Sequence, residues 1–346
     1  MSIWSNAIGD YLLATLIAMT LTYALLTLMI RWGAWLRLLD VANGRSSHQQ
    51  TVVRGGGLAV LLAWLPSLYV VLRRNDISIL LPPHLVVGVF IFIILGLCDD
   101  IFSLRVWTKL VWQSIAAMLL VASFSFSVPT TLLALLISIW FVNIYNFMDG
   151  IDALASLEFL FVMAAAFLLA QDRMPLPIQG SAGLLGLTYL VFLRFNWPPA
   201  KIFLGDVGSY FCAVMLLCLM FYTCREKLLY WHTWAILLGV FIVDTSVTLL
   251  RRFLSAQCWY RAHCTHAYQH AARRFSCHRK VSVSVFLLNT VWLFPWALAS
   301  VRYPDLGSVF LLLSWAPLAA LSLFFGAGLP DGSTSRWLCK PRDSSI

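Results

Sequence analysis

The chain has 346 residues, of which 61% are hydrophobic and only 11% charged, and it carries a net charge of +9. A soluble domain needs far more charge to cover its surface, so the apolar surplus must face lipid. The positive charge does not point to nucleic acid, because no run of Lys and Arg with interleaved aromatics appears outside the loops; basic loops on one side of a membrane give the same balance.

Apolar runs predict an all-α polytopic membrane protein of about 11 transmembrane helices, near residues 8–30, 57–72, 85–97, 108–125, 130–146, 155–171, 178–194, 206–222, 230–250, 283–301 and 307–327. The opening Met1-Ser2-Ile3-Trp4 has no basic stretch before its apolar run, which reads as a span and not as a cleaved signal. No internal repeat is visible, so residues 1–327 read as one transmembrane domain and 328–346 as a short polar tail. Of the 24 Lys and Arg residues, only Arg73, Arg74, Arg173, Arg225, Lys227 and Arg302 fall in even-numbered loops. The rest lie in odd loops and the tail, which makes that side cytoplasmic, the N-terminus outside and the C-terminus inside.

The acids and amides sort the same way. Water at both helix ends predicts polar residues on both sides; one-sided clustering is what a site at the cytoplasmic boundary produces. The odd loops 31–56, 98–109, 143–155, 195–209 and 251–282 hold the candidates.

In the first of these, Arg45, His48 and Arg54 precede Gly55-Gly56-Gly57; cations there suit phosphates, and glycines let a backbone approach a ligand, although an ordinary basic loop has the same look. Next, Asp99-Asp100 ends an apolar run with no cation beside it in sequence. That pair suits a divalent metal or proton transfer, and equally a helix cap. Then Asn143 and Asn146 stand within an apolar run, and Asp149 and Asp152 continue the same three-residue step; four polar groups on one helical face favour a site over a hydrogen-bonded helix seam. Asp206, between Gly205 and Gly208 at a helix start, suits a metal or an N-cap.

The longest loop carries His263, His266 and His270, which share a face if helical and offer cations to phosphate. Cys258, Cys264 and Cys277 nearby raise zinc, but the spacings fit no familiar finger.

These motifs, in this order from Asp40 to about Arg274, resemble the polyprenyl-phosphate N-acetylhexosamine-1-phosphate transferases (glycosyltransferase family 4, the MraY/WecA group). The Arg45-Ser46-Ser47-His48 loop, Pro199 to Asp206 and His266-Ala267-Tyr268-Gln269-His270 look most like its WbpL-type, O-antigen-initiating branch. The resemblance implies transfer of HexNAc-1-phosphate from a UDP-N-acetylhexosamine to undecaprenyl phosphate, with release of UMP. It implies Mg²⁺ (or Mn²⁺), an active site on the cytoplasmic face of the bacterial inner membrane, and room for a homodimer. It makes Asp99, Asp100 and Asp206 catalytic, with Asp206 and Asp100 at the metal. Arg45, His48, Lys109, Asn143, Asn146, Asp149, Gly150, Asp152, Phe203, His263 and His266 become substrate-binding positions, with Phe203 stacking on uracil and Lys109 contacting phosphate.

The chain departs from the family at Thr51-Val52-Val53, Ser103, Ala153, which stands where a glycine is expected, and Cys264, where relatives often have Arg. An ion-coupled transporter is disfavoured because no repeated halves appear and Asp244, inside a span, lies near its cytoplasmic end before Arg251 and Arg252. A CDP-alcohol phosphotransferase is disfavoured because only Asp149-Gly150 of its motif is present.

The orientation is tested by thiol labelling of intact cells. A cysteine placed between Arg73 and His84 should react with an impermeant reagent, and one between Gly44 and Arg54 should not. The reverse pattern inverts the topology.

Overall fold

The computed structural model describes residues 2–33, 38–40, 51–74, 82–170, 173–258 and 263–330, with side chains from Gly9 onward and without that of Arg74. Its helices are α1 (Ser2–Trp32), α2 (Gly56–Arg74), α3 (Pro83–Phe102), α4 (Val106–Ala122), α5 (Val128–Phe147), α6 (Leu154–Ala170) and α7 (Leu176–Asn196). After them come α8 (Gly205–Arg225), α9 (Trp231–Leu237), α10 (Gly239–Leu254), α11 (Ala267–Phe275), α12 (His278–Leu288), α13 (Phe294–Arg302) and α14 (Gly307–Phe324). A π-helical turn, Asn289–Leu293, joins α12 to α13. Proline in the first turn opens α3, α5 and α7, where its missing N–H has no intrahelical partner to lose.

Among the described residues, eight helices are long and apolar enough to cross a membrane, or nine if α9 and α10, bent by 79° at their junction, form one crossing. The helices α4 and α6, of 17 residues each, are apolar but shorter, and they fall where the sequence places two further spans. Large apolar side chains such as Leu136, Val291 and Leu312 stand exposed on the outside of the bundle, where lipid satisfies them.

The bundle is organised around α8. Its apolar window is 72% buried, against 28–50% for the other spans, and α2, α3, α5 and α6 pack on it. Close packing there depends on glycine. The sequence offers Gly55-Gly56-Gly57 as a place for a ligand; Gly57 instead meets α8, and a Cβ added to it would lie 2.1 Å from Gly208 Cα. A Cβ on Gly96 of α3 would lie 2.6 Å from Asp206 O. Small residues let the backbones approach as they do in other membrane bundles.

One element was not expected from the sequence. Strand β1 (Leu39–Asp40) pairs antiparallel with β2 (Val52–Val53), and Val53 bridges Ile202 in parallel. Gly56 N and Gly57 N also donate to Phe203 O and Leu204 O, both at 2.9 Å. This patch pins the base of the first loop to the segment leading into α8.

Substituting Gly57→Ala should therefore wedge α2 from α8. Overpacking of this kind costs about 1–3 kcal/mol, so the detergent-solubilised variant should melt several degrees lower. An unchanged Tm would show that the approach is not as close as described.

Candidate functional site

The last turn of α3 and the first turn of α8 meet head to head. Asp100 Oδ1 accepts from Asp206 N and its Oδ2 from Val207 N, each at 3.0 Å. A carboxylate from α3 thus caps α8, satisfying N–H groups that a helix start leaves without partners. Asp206 does not cap its own helix. Its Oδ1 accepts from Asn146 Nδ2 at 2.7 Å, and Asn146 also reaches Ser209 Oγ at 3.0 Å.

The acidic pair has cations in space that it lacks in sequence. Lys109 Nζ lies 2.7 Å from Asp99 Oδ2, while Asp99 Oδ1 accepts from Leu104 N at 2.8 Å. The Arg54 guanidinium donates to Asp100 O, and its Nε lies 3.9 Å from Asp100 Oδ1. Each aspartate, 5% and 1% exposed, is therefore buried with its own counter-charge.

Around this junction lies a cleft of about 220 Å³. It is lined by Asp40, Arg54, Asp100 and Asp206, by Asp149, Gly150, Asp152, Asn196 and Phe203, and by Gln269 of α11. Its polar walls come from five places in the chain: the base of the first loop, the end of α3, the α5–α6 connection, the segment between α7 and α8, and α11.

Gly205 has φ +78°, and a Cβ there would lie 2.8 Å from both Asp100 Oδ2 and Gly55 N, so this turn requires glycine. Ala153 has φ +64°, the left-handed region in which the glycine expected from the family resemblance would be free of strain. Its N–H donates to Asn196 Oδ1 at 3.0 Å, which holds it in place. Asp152 Oδ2 accepts from Ala200 N at 3.1 Å and its Oδ1 lies 3.2 Å from His278 Nδ1.

Several expectations need correction. The helical face drawn through Asn143, Asn146, Asp149 and Asp152 breaks, because α5 ends at Phe147 and the two acids lie in the connection to α6. Asn143 faces away from the cleft: its Nδ2 donates to Gln113 Oε1 at 2.9 Å, and Gln113 donates to Tyr210 Oη at 3.2 Å. That is the helix seam: α4, α5 and α8 meet at this level, and Asn143 Nδ2 also donates to Ile139 O at 2.7 Å. Asp99 and Lys109 do not line the cleft either; each is turned to the other.

The histidines also miss it. Residues 263–265 precede α11, so His263, His266 and His270 share no helical face. His263 and His266 stack at 4.9 Å between centroids, and both face the Phe147 ring. Burial, then His266, then the Arg252 cation pull the His263 imidazole down to about 2, so it stays neutral and offers phosphate no charge. Arg45 and His48 lie outside the described residues.

Asn196 and Gln269 were missed as cleft residues. An amide closing an apolar run directly before Trp197-Pro198-Pro199 was a usable signal for the first. Nothing in sequence distinguished Gln269 from its histidine neighbours. For a metal, no three His, Cys, Asp or Glu among the described residues gather as a protein-only ligand set. Asp100 and Asp206 do supply adjacent hard oxygens, which fits Mg²⁺, an ion commonly held by one or two carboxylates plus substrate phosphates.

Burial pushes the Asp149 carboxyl well above the usual carboxylate range, and the neighbouring Asp206, Asp100 and Asp152 push it further. A raised folded-state value contributes stability that is present in acid, below the unfolded value, and lost as pH rises through the folded one. In metal-free detergent, Asp149→Asn should therefore melt higher than wild type at pH 8, by about 2 °C or more. The difference should shrink towards pH 4. An Asp149→Asn protein no more stable at pH 8 than wild type would contradict the crowding of half-buried Asp149 by its three neighbouring acids.

The model of glycosyl transferase family 4 matches residues 83–223, which run from α3 through most of α8 and include all but the first-loop and α11 walls of the cleft. A probable undecaprenyl-phosphate N-acetylglucosaminyl 1-phosphate transferase of Bacillus subtilis is 29% identical over 301 residues, 80% of either chain. An undecaprenyl-phosphate alpha-N-acetylglucosaminyl 1-phosphate transferase of Thermotoga maritima is 29% identical over 188 residues, 51% of this chain and 54% of its own. A phospho-N-acetylmuramoyl-pentapeptide-transferase of Latilactobacillus sakei is 27% identical over 232 residues, 58% of this chain and 69% of its own.

Proposed function

We propose that this chain, which belongs to glycosyl transferase family 4, transfers HexNAc-1-phosphate from a UDP-HexNAc to undecaprenyl phosphate. UMP is released, and the lipid-linked pyrophosphoryl sugar starts O-antigen or another cell-surface polysaccharide. The reaction takes place at the cytoplasmic face of the bacterial inner membrane, where a soluble nucleotide sugar and a membrane-anchored phosphate can meet.

One observation supports this reading above the others. A single polar cleft at one end of an apolar bundle combines carboxylates, a guanidinium and an aromatic ring. Phosphoryl transfer is mostly positioning and charge neutralisation, and these are the groups it needs.

Phe203, Asn196, Asp152 and Gly150 form the nucleotide end, with the Phe203 ring against uracil. Arg54 meets the diphosphate. Asp100 and Asp206 hold Mg²⁺ or Mn²⁺, which when bound neutralises charge on the transferring phosphoryl group. Asn146 fixes the Asp206 carboxylate through Oδ1. Arg45 and His48 are assigned to phosphate by the family resemblance.

A phosphate monoester loses its second proton near pH ~6, so the lipid oxygen is already a nucleophile. It attacks the β-phosphorus in line, the bond to the α-phosphate oxygen breaks, and UMP leaves with that oxygen. Asp99 has both carboxylate oxygens occupied by Leu104 N and Lys109 Nζ. Because the lipid phosphate needs no base, direct attack is favoured over an Asp99 base or a covalent aspartyl intermediate, and Asp99 and Lys109 act electrostatically.

The test is product release by purified protein with undecaprenyl phosphate, Mg²⁺ and a panel of UDP-HexNAc donors, with CDP-alcohols as a control. UMP should appear with at least one donor. Asp206→Asn should lower that turnover by about 100-fold or more at saturating Mg²⁺. Near wild-type turnover in the variant would remove Asp206 from the metal, and CMP release or no release from wild type would remove the function.

A further inference from the structure

Among the acids that the proposed chemistry leaves unused is Asp244, in α10 and 4% exposed. Its surroundings are built. Oδ1 accepts from Ala267 N at 2.9 Å and from Thr248 Oγ1 at 3.1 Å, and Oδ2 accepts from Tyr268 N at 2.9 Å. His266 Nδ1 lies 3.5 Å from Oδ1. Asp244 therefore caps α11 from a distant helix, just as Asp100 caps α8.

The capped end of α11 is also a wall of the cleft. Tyr268 Oη donates to Phe147 O at 2.8 Å, at the end of the helix that carries Asn146. A Cβ added to Gly150 would lie 2.2 Å from Tyr268 Oη and 3.0 Å from Gln269 Nε2, so the start of α11 rests directly on the cleft's floor. Gln269 then reaches the cleft edge, and its Oε1 accepts from His266 N at 3.2 Å. Two turns beyond Asp244, Arg252 of α10 holds the approach to α11 through Thr265 Oγ1 at 3.3 Å and Cys258 O at 3.0 Å.

We infer that Asp244 is a positioning residue for the donor: by capping α11 it sets Gln269 and Tyr268 against Gly150 and so fixes the shape of the cleft's nucleotide end. It touches neither substrate. A side chain acting only on overall stability lowers the amount of folded enzyme, and hence the apparent kcat for every substrate combination. A residue that places one wall selectively raises the KM of the substrate at that wall.

The inference rests on the reaction proposed above, and two arms separate their failures. In the first, amide hydrogen exchange of residues 267–270 is compared for wild type and Asp244→Asn in detergent, without substrate. An amide side chain has one acceptor oxygen in place of two, so exchange at Ala267 and Tyr268 should accelerate while that of the α8 start does not. In the second, the KM for UDP-HexNAc should rise by roughly fivefold or more in Asp244→Asn, with the KM for undecaprenyl phosphate unchanged.

Gln269→Ala guards against a folding defect. It should raise the same KM, and adding Asp244→Asn to it should produce less than the product of the two separate effects, as expected for groups acting through one wall. Unchanged exchange at Ala267 and Tyr268 would overturn the inference whatever the activity. So would an active wild type whose Asp244→Asn variant keeps its donor KM or loses both KM values alike. A wild type that releases no UMP would overturn the functional reading and leave the exchange arm to decide the cap.

Discussion

The contact between Asp100 and the first N–H groups of α8 is what the rest of the molecule is arranged around. A helix packed against four others still leaves its first amides without intrahelical partners, and at a half-buried start each does best with an acceptor from the protein itself. The chain resolves this by bringing a carboxylate from the end of α3, which requires α3 and α8 to approach so closely that Gly96 and Gly205 have no room for a side chain. The same contact draws Asp206 to the end of the bundle. Scaffold and candidate chemistry are one interaction.

From that junction the other charges follow. A buried carboxylate needs compensation, and Lys109 and Arg54 supply it from opposite sides. Lys109 pairs with Asp99, which is outside the cleft lining; Arg54 leans on Asp100 and stays at the cleft wall. Two adjacent acids in sequence therefore end with different roles. The α11 cap by Asp244 repeats the device on the far side, so two helix starts, each held by a carboxylate from elsewhere, frame the cleft.

Much of this was legible in the sequence, and the reasons for the rest are physical. Among the described residues, apolar run length located the eight helices long enough to cross a membrane, since lipid imposes one simple requirement on each, but it read the bent pair α9 and α10 as one unbroken span. One-sided clustering of Asp100, Asp149, Asp152 and Asp206 announced the cleft, because buried acids are too costly to be placed idly. What periodicity could not give was direction. Asn143 and Asn146 sit three residues apart on one helix, yet one bonds Gln113 and the other Asp206, according to which neighbouring helix each meets. His263 and His266 carry the most conspicuous side chains of their loop, but packing turns them onto Phe147 and presents Gln269 instead. Cations paired across ten or more residues, as Lys109 and Arg54 are, leave no local signal at all.

The most direct test of the claim that one carboxylate joins fold to chemistry is the rate of UMP release by purified Asp100→Asn at saturating donor, lipid phosphate and Mg²⁺. An asparagine of the same shape keeps one of the two acceptor positions at the start of α8, so the protein should still elute as a folded species. Loss of the charge should lower turnover by roughly 10- to 100-fold. Wild-type turnover from the folded variant would mean that Asp100 only closes a helix, and that the reaction centre lies elsewhere.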